Sequence, residues 1–295
     1  MLPIALSQEV ELALKANRPV VALETAVVTH GLPNGLGLEA THRMETRVRQ
    51  GGAIPAFCGV YQGRLYAGLD AACLEHMTKM KAKKAAPRDL PGLVLAHGTA
   101  GTTVAATAYM AARAGIRVMA TGGLGGIHHG PGLDVSADLL ELTRRQVVVV
   151  CSGIKAVLDV EATAEALEAL GVPVAGYGCA ELPAFYCSQS GIPLEHTVNS
   201  PREAAEFAAI SWELLGERAV VVAVPPPPGT SLDWTTISRG LDVTNSGRMG
   251  KSATPALLSA LHHHTGGVTT KSNIALLVNN AGIAADIALA LHTLL

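Results

Sequence analysis

Aromatic residues are scarce in this 295-residue chain, only 3% of it, so any core must be built from Ala, Val, Leu and Ile. Charge is scarce too: charged residues make up 16%, the formal net charge is -2, and no basic block dominates. A polyphosphate ligand calls for a basic face, so no nucleic-acid partner is expected. A small phosphorylated metabolite needs only a local cluster of donors. The five cysteines, Cys58, Cys73, Cys151, Cys179 and Cys187, are odd in number and lack a C-x-x-C pair, which argues against a disulfide framework and a structural zinc site. No N-terminal run has signal-peptide form, and no apolar run reaches the roughly 18 residues of a membrane span. The expectation is a soluble cytoplasmic protein with no membrane partner.

Hydrophobic residues, by contrast, reach 49%, ample for a large core. Short β-rich runs alternate with helical patterns. Strands are expected at Val20–Glu24, Ala53–Val60, Leu93–Ala96, Arg117–Thr121, Val147–Cys151, Val172–Tyr177 and Ala219–Val224, and helices at Leu38–Arg49, Thr103–Ala114, Ala162–Leu170 and Pro201–Leu215. Such alternation predicts an α/β fold, a three-layer α-β-α arrangement with a mostly parallel central sheet, in one domain over 1–295. "GRLYAGL" suggests an added hairpin, "VPPPPGTS" a loop, and "SNIALLVNNAGIAADIALALHTLL" one long apolar helix, packed on the body or at a subunit contact. In such sheets ligands bind beyond the carboxyl ends of the strands. That places Glu24, His30, Thr102, Thr103, the "TGGLGG" glycines and Lys155 in one candidate region.

Each of these carries two accounts. "TGGLGGIHH" fits neither G-x-G-x-x-G nor the Walker pattern; it is a phosphate cradle or a turn where backbones approach closely. The threonines of "GTAGTTVAATAYM" cap a helix, or expose its N–H groups to phosphate. In "KMKAKKAAPRDL" the lysines form a solvated face unless one enters a site. Asp134, Ser136 and Asp138 precede a helix as caps or as oxygen ligands for a hard cation. The three histidines of "LHHHTGG" cannot converge from adjacent helical positions and read as a helix C-terminus. Lys155, in "VVVVCSGIKAVLD", is either a snorkelling charge or an amine desolvated enough to be nucleophilic unless it reaches an opening. Glu24, ending "PVVAL", is a strand-end carboxylate in water or a buried acid able to pass protons.

Taken together, "VVALETAVVTHGLP", "GAIPAFCGVYQGRLYAGL", "KAAPRDLP", "TTVAAT", "ATGGLGGIHHG", "DVSADLLEL", "VVCSGIKAVLD", "LPAFY" and "SNIALLVNNA" occur in one order over nearly the whole chain. They resemble the pseudouridine-5′-phosphate glycosidases, the indigoidine synthase A-like proteins. The resemblance implies reversible cleavage of the carbon–carbon bond between ribose C1′ and uracil C5, giving uracil and ribose 5-phosphate. A carbon leaving group needs an electron sink at C1′, and the resemblance implies that Lys155 supplies it as a Schiff base, with Glu24 as general acid/base. It further implies substrate contacts from Lys84, from Val104 through its backbone, from Ser136, Ala137 and Asp138, and from Asn280. It implies a divalent ion, Mn²⁺, at Asp134, a homotrimer, and a small nucleotide as partner. The departures from the family pattern are local. "PGL" between Gly130 and Asp134 is shorter than usual, His129 stands for arginine, "GTAGTT" replaces N-G-A-T-T, and Ser252 stands for glutamate. Two rival functions remain open: Schiff-base chemistry on another sugar phosphate, and a non-catalytic nucleotide-binding module.

Overall fold

The computed structural model describes residues 3–32, 35–80, 82–130, 133–243 and 253–294. Pro131, Gly132 and Ser252, where two of the departures from the family pattern fall, lie outside the described residues. In chain order the strands are β1 (Ala5–Leu6), β2 (Val20–Leu23), β3 (Ile54–Tyr61), β4 (Arg64–Ala67), β5 (Lys83–Ala85), β6 (Ala100–Thr102), β7 (Val118–Ala120), β8 (Val148–Cys151), β9 (Val174–Tyr177), β10 (Thr197–Val198) and β11 (Val220–Ala223). The helices are α1 (Gln8–Lys15), α2 (Leu36–Gln50), α3 (Ala71–Lys79), α4 (Leu90–Leu95), α5 (Val104–Ala114), α6 (Ala137–Leu142), α7 (Val160–Ala169), α8 (Pro201–Leu215), α9 (Trp234–Val243), α10 (Ala253–His264) and α11 (Val268–Leu294).

The sheet runs β1-β4-β3-β2-β7-β8-β11-β9-β10, with β6 joined to β3 and β5 to β6. Among the described residues, eight of the ten strand pairings are parallel, and β3 makes both antiparallel ones, with β4 and β6. Every residue of β2, β8 and β11 is buried, as expected of strands covered on both faces. Helix α11 lies across β2, β7 and β8 between α2 and α8, while α5 packs on β2, β3 and β7 beside α6. The expected α/β architecture is therefore present. The added hairpin is β3–β4, joined by Gln62 and Gly63 at φ 49° and 76°, the doubly left-handed turn that matches strand twist.

Three expectations change. The run Leu93–Ala96 is not a strand: α4 covers it, with Leu90 and Leu93 buried one turn apart and Leu95 facing out. A short apolar run has no period of its own to separate the two states, and Pro91 in the first turn favours helix. The strand comes later, as β6, where small residues let it pack beside β3. The lysine-rich segment is not one helical face either, since α3 stops at Lys79 and Lys83–Ala85 pairs with β6. Finally, α11 is long and apolar enough by length and composition to cross a membrane, although Lys271, Asn273, Asn280 and Asp286 interrupt its apolar run. Its most apolar stretch is 61% buried against the sheet and neighbouring helices, which accounts for its composition as a core helix.

Candidate functional site

From β2 the chain turns to β3 on one side and later returns to place β7 on the other. Crevices at such reversals hold ligands in open α/β sheets. Here the carboxyl ends of β2 and β7 open onto a cavity of about 380 Å³. Glu24 follows β2 directly and leads into a π-helical turn, Val27–Gly31, that carries His30 to the rim. Lys155 follows β8. Its loop is knitted to the glycine segment after β7: Ser152 N donates to Gly122 O (2.8 Å), Leu124 N to Gly153 O (2.8 Å) and Lys155 N to Leu124 O (3.1 Å). Gly153, at φ +69°, permits this path, because a Cβ there would overlap the Pro183 carbonyl oxygen. Gly153→Ala is expected to lower stability by on the order of 3 kcal/mol, combining left-handed strain with overpacking, as measured by urea unfolding.

A second wall comes from β5, β6 and the start of α5. Lys84 pairs in register with Gly101, and Thr103 N donates to Ala85 O (3.0 Å), so Lys84 and Val104 lie at neighbouring strand ends. Thr103 caps α5, its hydroxyl accepting from Ala106 N (3.3 Å). Asp138, buried, accepts from Ala105 N (2.9 Å) and from Gly125 N (2.8 Å), clamping α5 to the glycine loop. Gly125 must lack a side chain, since a Cβ would meet Ser136 Oγ and Asp138 Oδ2. Side chains packed directly against the loop backbone, Ser136 and Asp138 at Gly125 and Thr163 at Gly126, are thus the main reason for these glycines, and only at Gly123 does a backbone atom, Gly153 O, also come close. Asp138→Asn leaves one of the two buried N–H groups without an acceptor, and a loss of about 1–3 kcal/mol is expected in the same unfolding assay.

The structure gathers Glu24, Lys84, Val104, Asp134, Ser136, Ala137, Asp138 and Lys155 around one cavity. Lys155 is half-buried and reaches the opening, so it is not sealed in its apolar surroundings. Ser136 caps α6 while lining the cavity, so its two readings coincide. Asn280 is corrected: it is 0% exposed and does not line the cavity. Its amide nitrogen donates to Thr121 O (2.9 Å) and Ser152 Oγ (3.1 Å), stitching the ends of β7 and β8. Two turns earlier on the same helix face, Asn273 lines the cavity, and its buried Oδ1 has no hydrogen-bond partner among the described residues. Both asparagines sit in one apolar run, and only docking of α11 separates their roles.

Sequence reasoning also missed Phe185, Arg88 and Asn273 as site residues, and placed His128 only within a glycine-rich stretch. Phe185 is one of three phenylalanines, lines the cavity, and holds φ +57°, a strained conformation of the kind that clusters at binding sites. Its signals in the sequence were the scarcity of aromatics and its place in the "LPAFY" motif.

Glu24 is 6% exposed, and burial raises its carboxyl pKa. The Lys155 ammonium and the Thr121 hydroxyl bound to Glu24 oppose that rise. Burial lowers the pKa of His128, against the pull of Asp134. The cavity therefore pairs an acid able to hold its proton with a lysine amine, beside the cations Lys84 and Arg88. As for Mn²⁺, the described residues contain no group of three His, Cys, Asp or Glu able to hold a metal. Asp138 has both oxygens on backbone N–H groups, leaving Asp134 as one carboxylate at the cavity. These residues do not fit a protein-built metal cage.

Residues 9–290 match the family described as indigoidine synthase A like protein. A pseudouridine-5′-phosphate glycosidase from Myxococcus xanthus is 44% identical over 293 residues, covering 96% of this chain and 97% of that protein. Its counterpart from Herpetosiphon aurantiacus is 44% identical, covering 99% of both. Among solved structures, an indigoidine synthase A-like protein from Thermotoga maritima superposes with a TM-score of 0.93 at 36% identity, covering 99% of this chain and 97% of that one. The prealnumycin C-glycosynthase AlnA, solved with ribulose 5-phosphate, gives 0.91 at 33% identity, covering 99% and 98%. Matched by the family over residues 9–290 and 44% identical to these relatives over nearly its whole length, this chain belongs to the indigoidine synthase A-like family.

Proposed function

We propose that the protein cleaves pseudouridine 5′-phosphate reversibly to uracil and ribose 5-phosphate, by way of a Schiff base on Lys155. The observation that carries this reading is a single cavity in which buried Glu24 meets Lys155 while Lys84 and Arg88 line the same space. The cations and the Val104 N–H at the start of α5 receive the phosphate. Protonated Glu24 gives its proton to the ribose ring oxygen as the C1′–O4′ bond opens. The Lys155 amine bonds to C1′. The nitrogen then sheds a proton to the Glu24 carboxylate, which passes it to C5; the C1′–C5 electron pair returns to the uracil ring as the nitrogen lone pair forms the C1′=N bond. Water then adds to C1′, releasing ribose 5-phosphate and restoring the amine. Covalent catalysis of this kind divides one hard bond cleavage into easier steps.

Release of uracil from pseudouridine 5′-phosphate by the purified protein, followed by chromatography, tests the reading; no release with this substrate overturns it. A second reading, Schiff-base chemistry on another sugar phosphate, is favoured by the ribulose 5-phosphate in the related C-glycosynthase. A panel of pentose phosphates with uracil and other bases separates the two. The same proposal includes a cytoplasmic location and a homotrimer. Exposed Leu133, Val135 and Leu140 beside the cavity support a subunit contact, and light scattering tests it. A divalent ion at Asp134 is retained only as a hydrated ion sharing the substrate, to be tested by Mn²⁺ titration of Asp134→Ala.

A further inference from the structure

We propose that Thr121 is the positioning residue for Glu24: its hydroxyl donates to Glu24 Oε1, so the proton Glu24 transfers is carried on Oε2. This rests on the proposed role of Glu24 as proton carrier. The placement follows from register. Leu23 pairs with Ala120 across β2 and β7, so Glu24 and Thr121 are the next residues at two adjacent strand ends. Thr121 is fully buried and does not itself line the cavity, so its hydroxyl reaches the chemistry only through Glu24.

The backbone of Thr121 is fixed on both sides. Its N–H donates to Val150 O (3.0 Å), and its carbonyl accepts from Asn280 Nδ2 (2.9 Å). Asn280 in turn is bound to Ser152 Oγ, ahead of the Lys155 loop. One buried amide from α11 therefore sets the strand ends that carry both reacting groups. A carboxyl held on one oxygen by a rigid donor cannot rotate to present either oxygen at will. Its remaining oxygen then occupies one place relative to a bound sugar, as proton transfer requires. The ionisable groups facing Glu24 are Lys155 after β8, Lys84 on β5 and Asp138 at the start of α6, and the π-helical turn adds His30 at the rim. From α11 the neighbours Asn273, Leu277 and Asn280 are uncharged. Thr121 is thus the neutral donor among charges.

The experiment is the pH dependence of kcat/KM for uracil release by Thr121→Val and Thr121→Ser, with Glu24→Gln alongside. Loss of the donor in Thr121→Val is expected to move the limb due to Glu24 upward by about one pH unit and to lower the optimum rate about tenfold. Thr121→Ser is expected to restore both. An unchanged profile in Thr121→Val, or failure of Thr121→Ser to restore it, overturns the positioning role. Full activity of Glu24→Gln overturns instead the assignment of Glu24 on which the proposal rests. Thermal unfolding checks each variant. Where the valine variant does not fold, Thr121→Cys, similar in size and a weak donor, is read in the same way.

Discussion

Lys155→Ala abolishes uracil release, with kcat lower by on the order of 10⁴-fold or more, because the atom that bonds to C1′ is gone. Lys155→Arg does no better, since a guanidinium stays protonated and offers no lone pair. Substrate still binds to both variants, as Lys84, Arg88 and the start of α5 are untouched. Borohydride added to the unmodified protein with ribose 5-phosphate reduces the imine and adds a sugar phosphate to the peptide holding Lys155. Mass spectrometry reads the adduct. An adduct on a different lysine, or none, removes the Schiff base from the mechanism, and full activity in Lys155→Ala does the same.

Glu24→Gln separates activity from stability. Glutamine keeps the shape and an oxygen for Thr121 but carries no transferable proton, so kcat falls about 10²–10⁴-fold. The same change stabilises the fold at alkaline pH. Burial raises the pKa of Glu24 above its ordinary value of 4.5. Below that ordinary value the carboxyl is protonated in folded and unfolded chain alike. As pH rises, the unfolded chain ionises first, and stability is lost until the folded-state pKa is passed. Glutamine removes this loss. Melting temperature is therefore expected to be higher for Glu24→Gln than for the unmodified protein at pH 8, by about 2–4 °C for each kcal/mol, and equal at pH 4. Equal melting at both pH values contradicts an acid held by burial.

Which features were legible follows from how local their causes are. The valine-rich runs that became β2, β7, β8 and β11 announced a sheet covered on both faces, because burial on two sides leaves no polar alternation. The expected helix Pro201–Leu215 matches α8 to the residue, and the structure shows Ser200 as its cap, Pro201 at the first position and Gly216 after its end. The segment before β6 was misread, since Leu93–Ala96 has too few residues to show a period and its fate depended on where Leu90 and Leu93 could be buried. The lysine run was misread for a related reason: pairing of Lys83–Ala85 with β6 is a long-range event that no charge pattern encodes.

The same division holds at the site. Strand ends and motif order in the chain itself placed Glu24 and Lys155 in one region and identified the family, because both depend on neighbours in sequence. Packing of α11 against β7 and β8 sent Asn280 into the core and Asn273 into the cavity. Folding also joined Asp138 to Ala105 and Gly125, and Thr121 to Glu24, across 33, 13 and 97 residues. Sequence carries the period and chemistry of each segment, whereas hydrogen bonds across the sheet form only after helices have chosen their faces. Burial of Glu24, on which its acidity depends, is a property of that assembled neighbourhood.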